Sequence, residues 1–105
     1  MTITRNFKET VQARALDDSK FREGMLRESL ECMLAGDFGT GKALLRDYVN
    51  AIIGFGQLAK LTKKDSKSLM RMLSADGNPT ASNLFDVIYV LEKKEKVHYR
   101  LQPIR

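Results

Sequence analysis

The sequence has one cysteine, Cys32, and one histidine, His98. A lone cysteine excludes an intramolecular disulfide and any thiolate cluster able to hold a metal. Set at helical spacing among Met25, Leu26, Leu30, Met33 and Leu34, Cys32 reads as a buried packing residue rather than a nucleophile. A lone imidazole in a segment with strand periodicity supports neither a Ser-His-Asp arrangement nor a histidine metal site. The expectation is a protein that is not an enzyme, with no catalytic residues, no metal ligands and no cofactor. Also missing is any run of about eighteen apolar residues, and the start, Met1 through Lys8, lacks the apolar stretch of a signal peptide. These absences predict a cytoplasmic protein with no membrane partner. With 105 residues, 43% of them hydrophobic, the chain can bury one real core but not two. Residues 1–105 are expected to form a single domain.

What the sequence does have is concentrated positive charge. The formal net charge is +5, and residues 56–74 alone carry +4, from Lys60, Lys63, Lys64, Lys67 and Arg71 against Asp65. The same segment reads as two short helices separated by a tight basic turn, the pattern of a helix-turn-helix. Leu58, Ala59 and Leu61 give the first helix an apolar side, while Leu69, Met72 and Leu73 recur at spacings of three and four in the second. Asp65 is placed to cap the second helix, its carboxylate accepting from free backbone donors, with Ser68 three positions on. Ser66, Lys67, Ser68 and Arg71 then face away from the apolar stripe. Short hydroxyls let a helix enter the major groove closely, and Lys or Arg reaches guanine acceptors or phosphates. A basic helix on its own reads as a solvated face. It is the coincidence of charge with the two-helix spacing that points to double-stranded DNA.

Around that segment the helical pattern continues. Asn6 and Glu9 fit a capping box at the head of an opening helix bearing Phe7 and Val11. Asp17, Asp18 and Ser19 close it and offer caps to an amphipathic helix from Lys20 to Ala35. Residues 36–41, rich in glycine, break that helix, and Leu44, Leu45, Tyr48, Val49, Ile52 and Ile53 define a more buried one that stops at Gly54 or Gly56. Ala75-Asp76-Gly77-Asn78-Pro79 is a turn, after which Ser82 or Thr80 caps a helix with Leu84, Phe85, Ile88 and Leu91 on its core side. Its end carries Lys93, Lys94 and Lys96, which touch phosphate or simply solvate the helix terminus. Finally Val97, Tyr99 and Leu101 alternate with His98, Arg100 and Gln102, the period of a strand. A single strand needs a partner. It either pairs across a two-fold axis, adds to another protein's sheet edge or stays an open tail.

One motif is set aside. Gly36, Gly41 and Lys42 have the G-x-x-x-x-G-K spacing of a phosphate-binding loop. Ala43 stands where magnesium binding needs Ser or Thr, a helix precedes the glycines, and no length remains for a parallel sheet. The stretch reads as a glycine-rich turn between helices.

Gly56-Gln57-Leu58-Ala59-Lys60, then residues 68–79 ending in Leu73-Ser74-Ala75-Asp76-Gly77-Asn78-Pro79, then Asn83-Leu84-Phe85-Asp86-Val87-Ile88, resemble the antidote (antitoxin) proteins of bacterial addiction modules. These belong to the wider phage-repressor-like helix-turn-helix class. Phe7-Lys8-Glu9-Thr10-Val11 and Leu44-Leu45-Arg46-Asp47-Tyr48-Val49 extend the resemblance over nearly the whole chain. The resemblance implies an all-α, five- to six-helix repressor-like domain, a homodimer on a palindromic operator, and a ribonuclease-type toxin as partner. In these terms residues 1–55 are N-terminal helices, 56–95 the helix-turn-helix with a capping helix, and 96–105 the C-terminal strand or tail. Where the class has Gly and then an apolar residue in its turn, this chain has Lys63 and Lys64, which add phosphate-seeking charge and are expected to contact DNA. Carried over by position, Gln57 touches phosphate while Ser66, Lys67, Ser68 and Arg71 face the groove. The function expected is an autoregulating antitoxin, with residues 1–35 contributing to toxin binding. A protein-interaction module, or a plain repressor-like regulator without a toxin, is the alternative.

Overall fold

The computed structural model describes residues 5–105, with the side chains of all of these except residues 5–9 and 11. Six α-helices follow one another: α1 Arg5–Asp17, α2 Ser19–Leu34, α3 Phe38–Tyr48, α4 Phe55–Thr62, α5 Ser66–Met72 and α6 Ala81–Glu95, with a π-helical turn, Val49–Ile53, prolonging α3. The fold is all-α, as expected.

Carboxylate and hydroxyl caps fix most of the helix starts. Lys20 and Phe21 N–H groups donate to Asp18 Oδ1 at 3.0 and 3.2 Å, and the Thr40 N–H donates to Asp37 Oδ1 at 3.2 Å. Thr80, rather than Ser82, caps α6 by accepting from the Asn83 N–H at 3.2 Å. Each bond satisfies a donor that the first helical turn leaves free. Helix α1 is already formed at Arg5, ahead of the expected Asn6 cap, while the side chains of that capping box and of Phe7 and Val11 lie outside the described residues.

The glycine-rich break is shorter than the sequence suggests. Only residues 35–37 leave helical geometry, and Gly39 and Gly41 lie inside α3. Gly41 is there because α2 comes too close for anything larger: a Cβ would sit 2.7 Å from the Ser29 carbonyl oxygen and 2.6 Å from Met33 Cγ. The buried Ser29 hydroxyl donates to the Gly41 carbonyl at 2.7 Å across the same crossing. Helix α3 then runs into the π turn and stops at Gly54, whose N–H donates to the Val49 carbonyl at 2.6 Å.

One apolar cluster joins α2 to α6, with Leu26, Leu45, Tyr48, Val49, Phe55, Leu58, Leu69, Leu73, Val87 and Leu91 at its heart. Phe85, expected on the core side, is 62% exposed. The stripe that faces inward is Leu84, Val87, Ile88 and Leu91, and Phe85 stands one residue, about 100°, around the helix from Leu84. Cys32 is half-buried rather than buried.

A second correction concerns the chain end. Residues 97–101 do not form a strand, and no strand occurs among the described residues. The backbone hydrogen bonding that a strand would need is diverted locally: the Tyr99 N–H donates to Glu92 Oε2 at 2.8 Å, and the Tyr99 hydroxyl donates to the Glu23 carbonyl at 2.9 Å. Beside it, Glu95 forms a buried polar knot. Arg22 Nε donates to both Glu95 carboxylate oxygens at 3.0 Å, and the Tyr48 hydroxyl donates to Oε1 at 2.6 Å. Arg22 Nη1 goes on to the carbonyls of Ala15 and Leu16 at the end of α1. Burial, then the bond to Glu95, push the Tyr48 hydroxyl well above its ordinary range, so it remains a proton donor.

Candidate nucleic-acid interface

The basic segment forms α4 and α5, joined by residues 63–65. Lys63 takes the left-handed conformation, φ 57° and ψ 35°, and the Lys64 N–H closes back on the Ala59 carbonyl at 3.2 Å. A left-handed residue at this position ends a helix abruptly and turns the chain. Asp65 then starts α5, its Oδ2 accepting from the Ser68 N–H at 3.1 Å. Leu58, Leu69 and Leu73 are fully buried and hold the pair on the core. Leu61, expected on the apolar side, is 45% exposed.

The polar face is distributed as follows. Lys67, Ser68 and Arg71 are exposed on α5, while Ser66 at its first position is half-buried. Ser68 and Arg71 border a shallow groove completed by Asp76, Asn78, Pro79 and Asn83. Lys60 and Lys63 are exposed beside them in sequence. None of Lys60, Lys63, Lys67 and Arg71 makes an ion pair among the described residues.

Two expected contacts are placed differently. Lys64 is folded onto α6, its ammonium 2.9 Å from Asn83 Oδ1 and 3.1 Å from Asp86 Oδ2, with 23% of the side chain exposed. It therefore fills a structural role where a free phosphate-seeking cation was expected. Gln57 is exposed, but it borders a separate groove with Leu61, Val90, Lys93 and Lys94. The α5 residues are thus brought together, and Gln57 is not brought to them.

The sequence reading also passed over what lies behind α5. The turn after it curls under the helix end: Ser74 N–H and Oγ both donate to the Arg71 carbonyl, at 3.2 and 2.7 Å, and the Gly77 N–H donates to the Ser74 carbonyl at 3.0 Å. A Cβ on Gly77 would collide with the carbonyls of Arg71 and Met72, so this turn admits only glycine. Lys42, 5% exposed, reaches in from α3 and donates to the carbonyls of Gly77 at 2.6 Å and Ala75 at 3.2 Å. Arg46 Nη1, one helical turn further on, donates to the Leu73 carbonyl at 3.0 Å. The lysine of the phosphate-loop spacing thus binds backbone carbonyls. Its signal was available, because Lys42 stands three residues before Leu45 on the inward face of α3.

Cys32 offers no activated thiol: desolvation, followed by Asp37, Glu28 and Glu31, pushes it up from its ordinary value. Compared with known proteins, the chain matches no family model, no curated protein and no solved structure.

Proposed function

We propose that the protein is a DNA-binding transcriptional regulator whose α4–α5 pair acts as a helix-turn-helix, with α5 in the major groove. The observation that carries this reading is the set of exposed cations, Lys60, Lys63, Lys67 and Arg71, which make no ion pair among the described residues and gather on one helix pair. Exposed cations are costless to leave unpaired in water and gain most where they displace counterions from phosphate. Ser68 and Arg71, sharing one groove, supply a short hydroxyl and a long guanidinium for base edges. The reading is tested by titrating the protein onto DNA from upstream of its own reading frame and onto scrambled DNA, at two salt concentrations. Salt-dependent preference for the upstream DNA is expected; equal binding to both would overturn it.

One helix pair covers one half-site, so a palindromic operator calls for a two-fold dimer. Phe85 and Tyr89, 62% and 58% exposed, form a ridge on the outer face of α6, flanked by Asp86 and Lys93. We assign this exposed aromatic ridge to a second copy of this chain, because two-fold pairing of α6 helices would cover both rings at once.

The resemblance to addiction-module antidotes extends the reading to an antitoxin that represses its own operon and binds a ribonuclease-type toxin. Residues 1–55 carry no net charge, which makes them a poor DNA surface and leaves them for a protein partner. Co-purification of the protein with the product of the neighbouring reading frame tests this; a neighbour without ribonuclease activity leaves the plain-regulator reading in place of the antitoxin one.

A further inference from the structure

We infer that Lys42 and Arg46 are positioning residues for α5, acting as a cationic latch that sets its angle on the body of the protein. The inference rests on α5 being the DNA-reading helix. It concerns two side chains that touch no DNA in that reading.

Helix α5 has seven residues, two turns, and its main packing partner is α4, itself only eight residues long. Leu69 and Leu73, with the partly buried Met72, seat it through a single apolar stripe. A second attachment is supplied at its C-terminal end. Carbonyl groups of the last turn of a helix have no intrahelical donor and carry the negative end of the helix dipole. Arg46 takes the carbonyl of Leu73, the residue that ends α5, and Lys42 takes those of Ala75 and Gly77 in the turn that follows, so one cation holds the helix end and the other the turn folded under it. Both cations come from α3, which belongs to the α2–α3 body, so the latch joins the short helix pair to the largest packed unit.

The burial of Lys42 is the decisive observation. A lysine that is only 5% exposed as a residue is retained where the hydrogen bonds of its ammonium are met. Two carbonyls meet it, and the Phe38 ring lies 5.5 Å away. A hydrophobic residue would fill the same space without that cost; what it could not do is grip a specific turn. Gly77, excluded from carrying a Cβ by the α5 carbonyls, lets the turn come close enough for the grip.

The test uses Lys42→Met, Lys42→Arg and Arg46→Met in the full chain, with amide hydrogen exchange read by helix and DNA binding read at two salt concentrations. Lys42→Met is expected to speed exchange at least tenfold in α5 and residues 73–79 while α2 and α3 keep their protection. It is also expected to lower preference for upstream over scrambled DNA at least tenfold with an unchanged salt slope, because no phosphate contact is lost. Lys42→Arg should restore most of both. If Lys42→Met does not fold, Arg46→Met, which removes a single half-buried bond, carries the same comparison. Uniformly faster exchange in every helix, or an α5 as protected as in the unaltered protein, overturns the latch. Should the unaltered protein show no DNA preference at all, the DNA reading has failed, and the exchange measurement still decides whether Lys42 holds α5.

Discussion

Lys63 sits in a left-handed conformation that costs an ordinary L-residue about 1 to 2 kcal/mol and glycine almost nothing. Its side chain is exposed and makes no ion pair among the described residues, and its backbone bond to the Ala59 carbonyl is one that glycine would make equally well. Lys63→Gly should therefore raise the melting temperature by roughly 5 °C while weakening binding to all DNA sequences alike and flattening the salt dependence. A stabilised variant with an unaltered salt slope would remove Lys63 from the DNA surface. Arg71 and Lys64 should separate in the opposite manner. Arg71→Ala should cost about 1 to 3 kcal/mol on the preferred DNA and relax preference there. Lys64→Ala should leave the salt slope in place, since its ammonium is already held by Asn83 and Asp86; a clear fall in slope would show that this pair opens on DNA. At this scale the caps were legible: Asp18 and Asp65 each stand just before an apolar period, and a carboxylate there has one obvious task. For Lys42 only the inward placement was legible, from its spacing to Leu45; its partners were not, because they are backbone carbonyls of residues 75 and 77, which no side-chain pattern announces.

At the scale of elements, the long helices follow from apolar spacing, but the final segment misled. Val97, Tyr99 and Leu101 do alternate, yet alternation specifies a strand only when another strand is present to receive its hydrogen bonds. Here Glu92 and Glu23 capture Tyr99 first. The tail is thereby docked, and its docking is sensitive to alkali. Desolvation, followed by the charge of Glu23, pushes the Tyr99 hydroxyl up to about 12, whereas in the unfolded chain it titrates near about 10. Stability from this group is complete below the unfolded value and is lost as pH rises through the folded one. Denaturant midpoints should thus fall between about pH 10 and about pH 12, with a smaller fall in Tyr99→Phe. Equal falls in both proteins would take Tyr99 out of the effect. The glycine-rich stretch before α3 misled for a related reason: Gly41 was read as a breaker, and its purpose is to admit α2.

For the whole molecule, the N-terminal helices and the α4–α6 segment contribute to one core. Leu26 from α2 lies in the same cluster as Leu69 and Leu91, and Arg22 and Tyr48 both donate to the Glu95 carboxylate. A fragment beginning near residue 36 would lose part of this core, so the contribution of the first helices to a partner is better tested by surface substitution than by truncation. Assembly offers a direct measurement. Phe85→Glu or Tyr89→Glu should convert a dimer to a monomer in light scattering while leaving the helical content unchanged, because both rings are more than half exposed in the single chain. A variant with unchanged mass would place the two-fold contact elsewhere.

The buried knot at Glu95 also sets a schedule. Arg22 and Tyr48 are synthesised early, and the one carboxylate that joins them is the last residue of α6. At ordinary elongation rates of about 5 to 20 residues per second, the ribosome needs roughly 2 to 9 s to travel from Tyr48 to Glu95. For those seconds α1, α2 and α3 exist as a nascent chain whose closing residue has not been made. The knot that ties α2 and α3 to α6 therefore cannot close until Glu95 has been added.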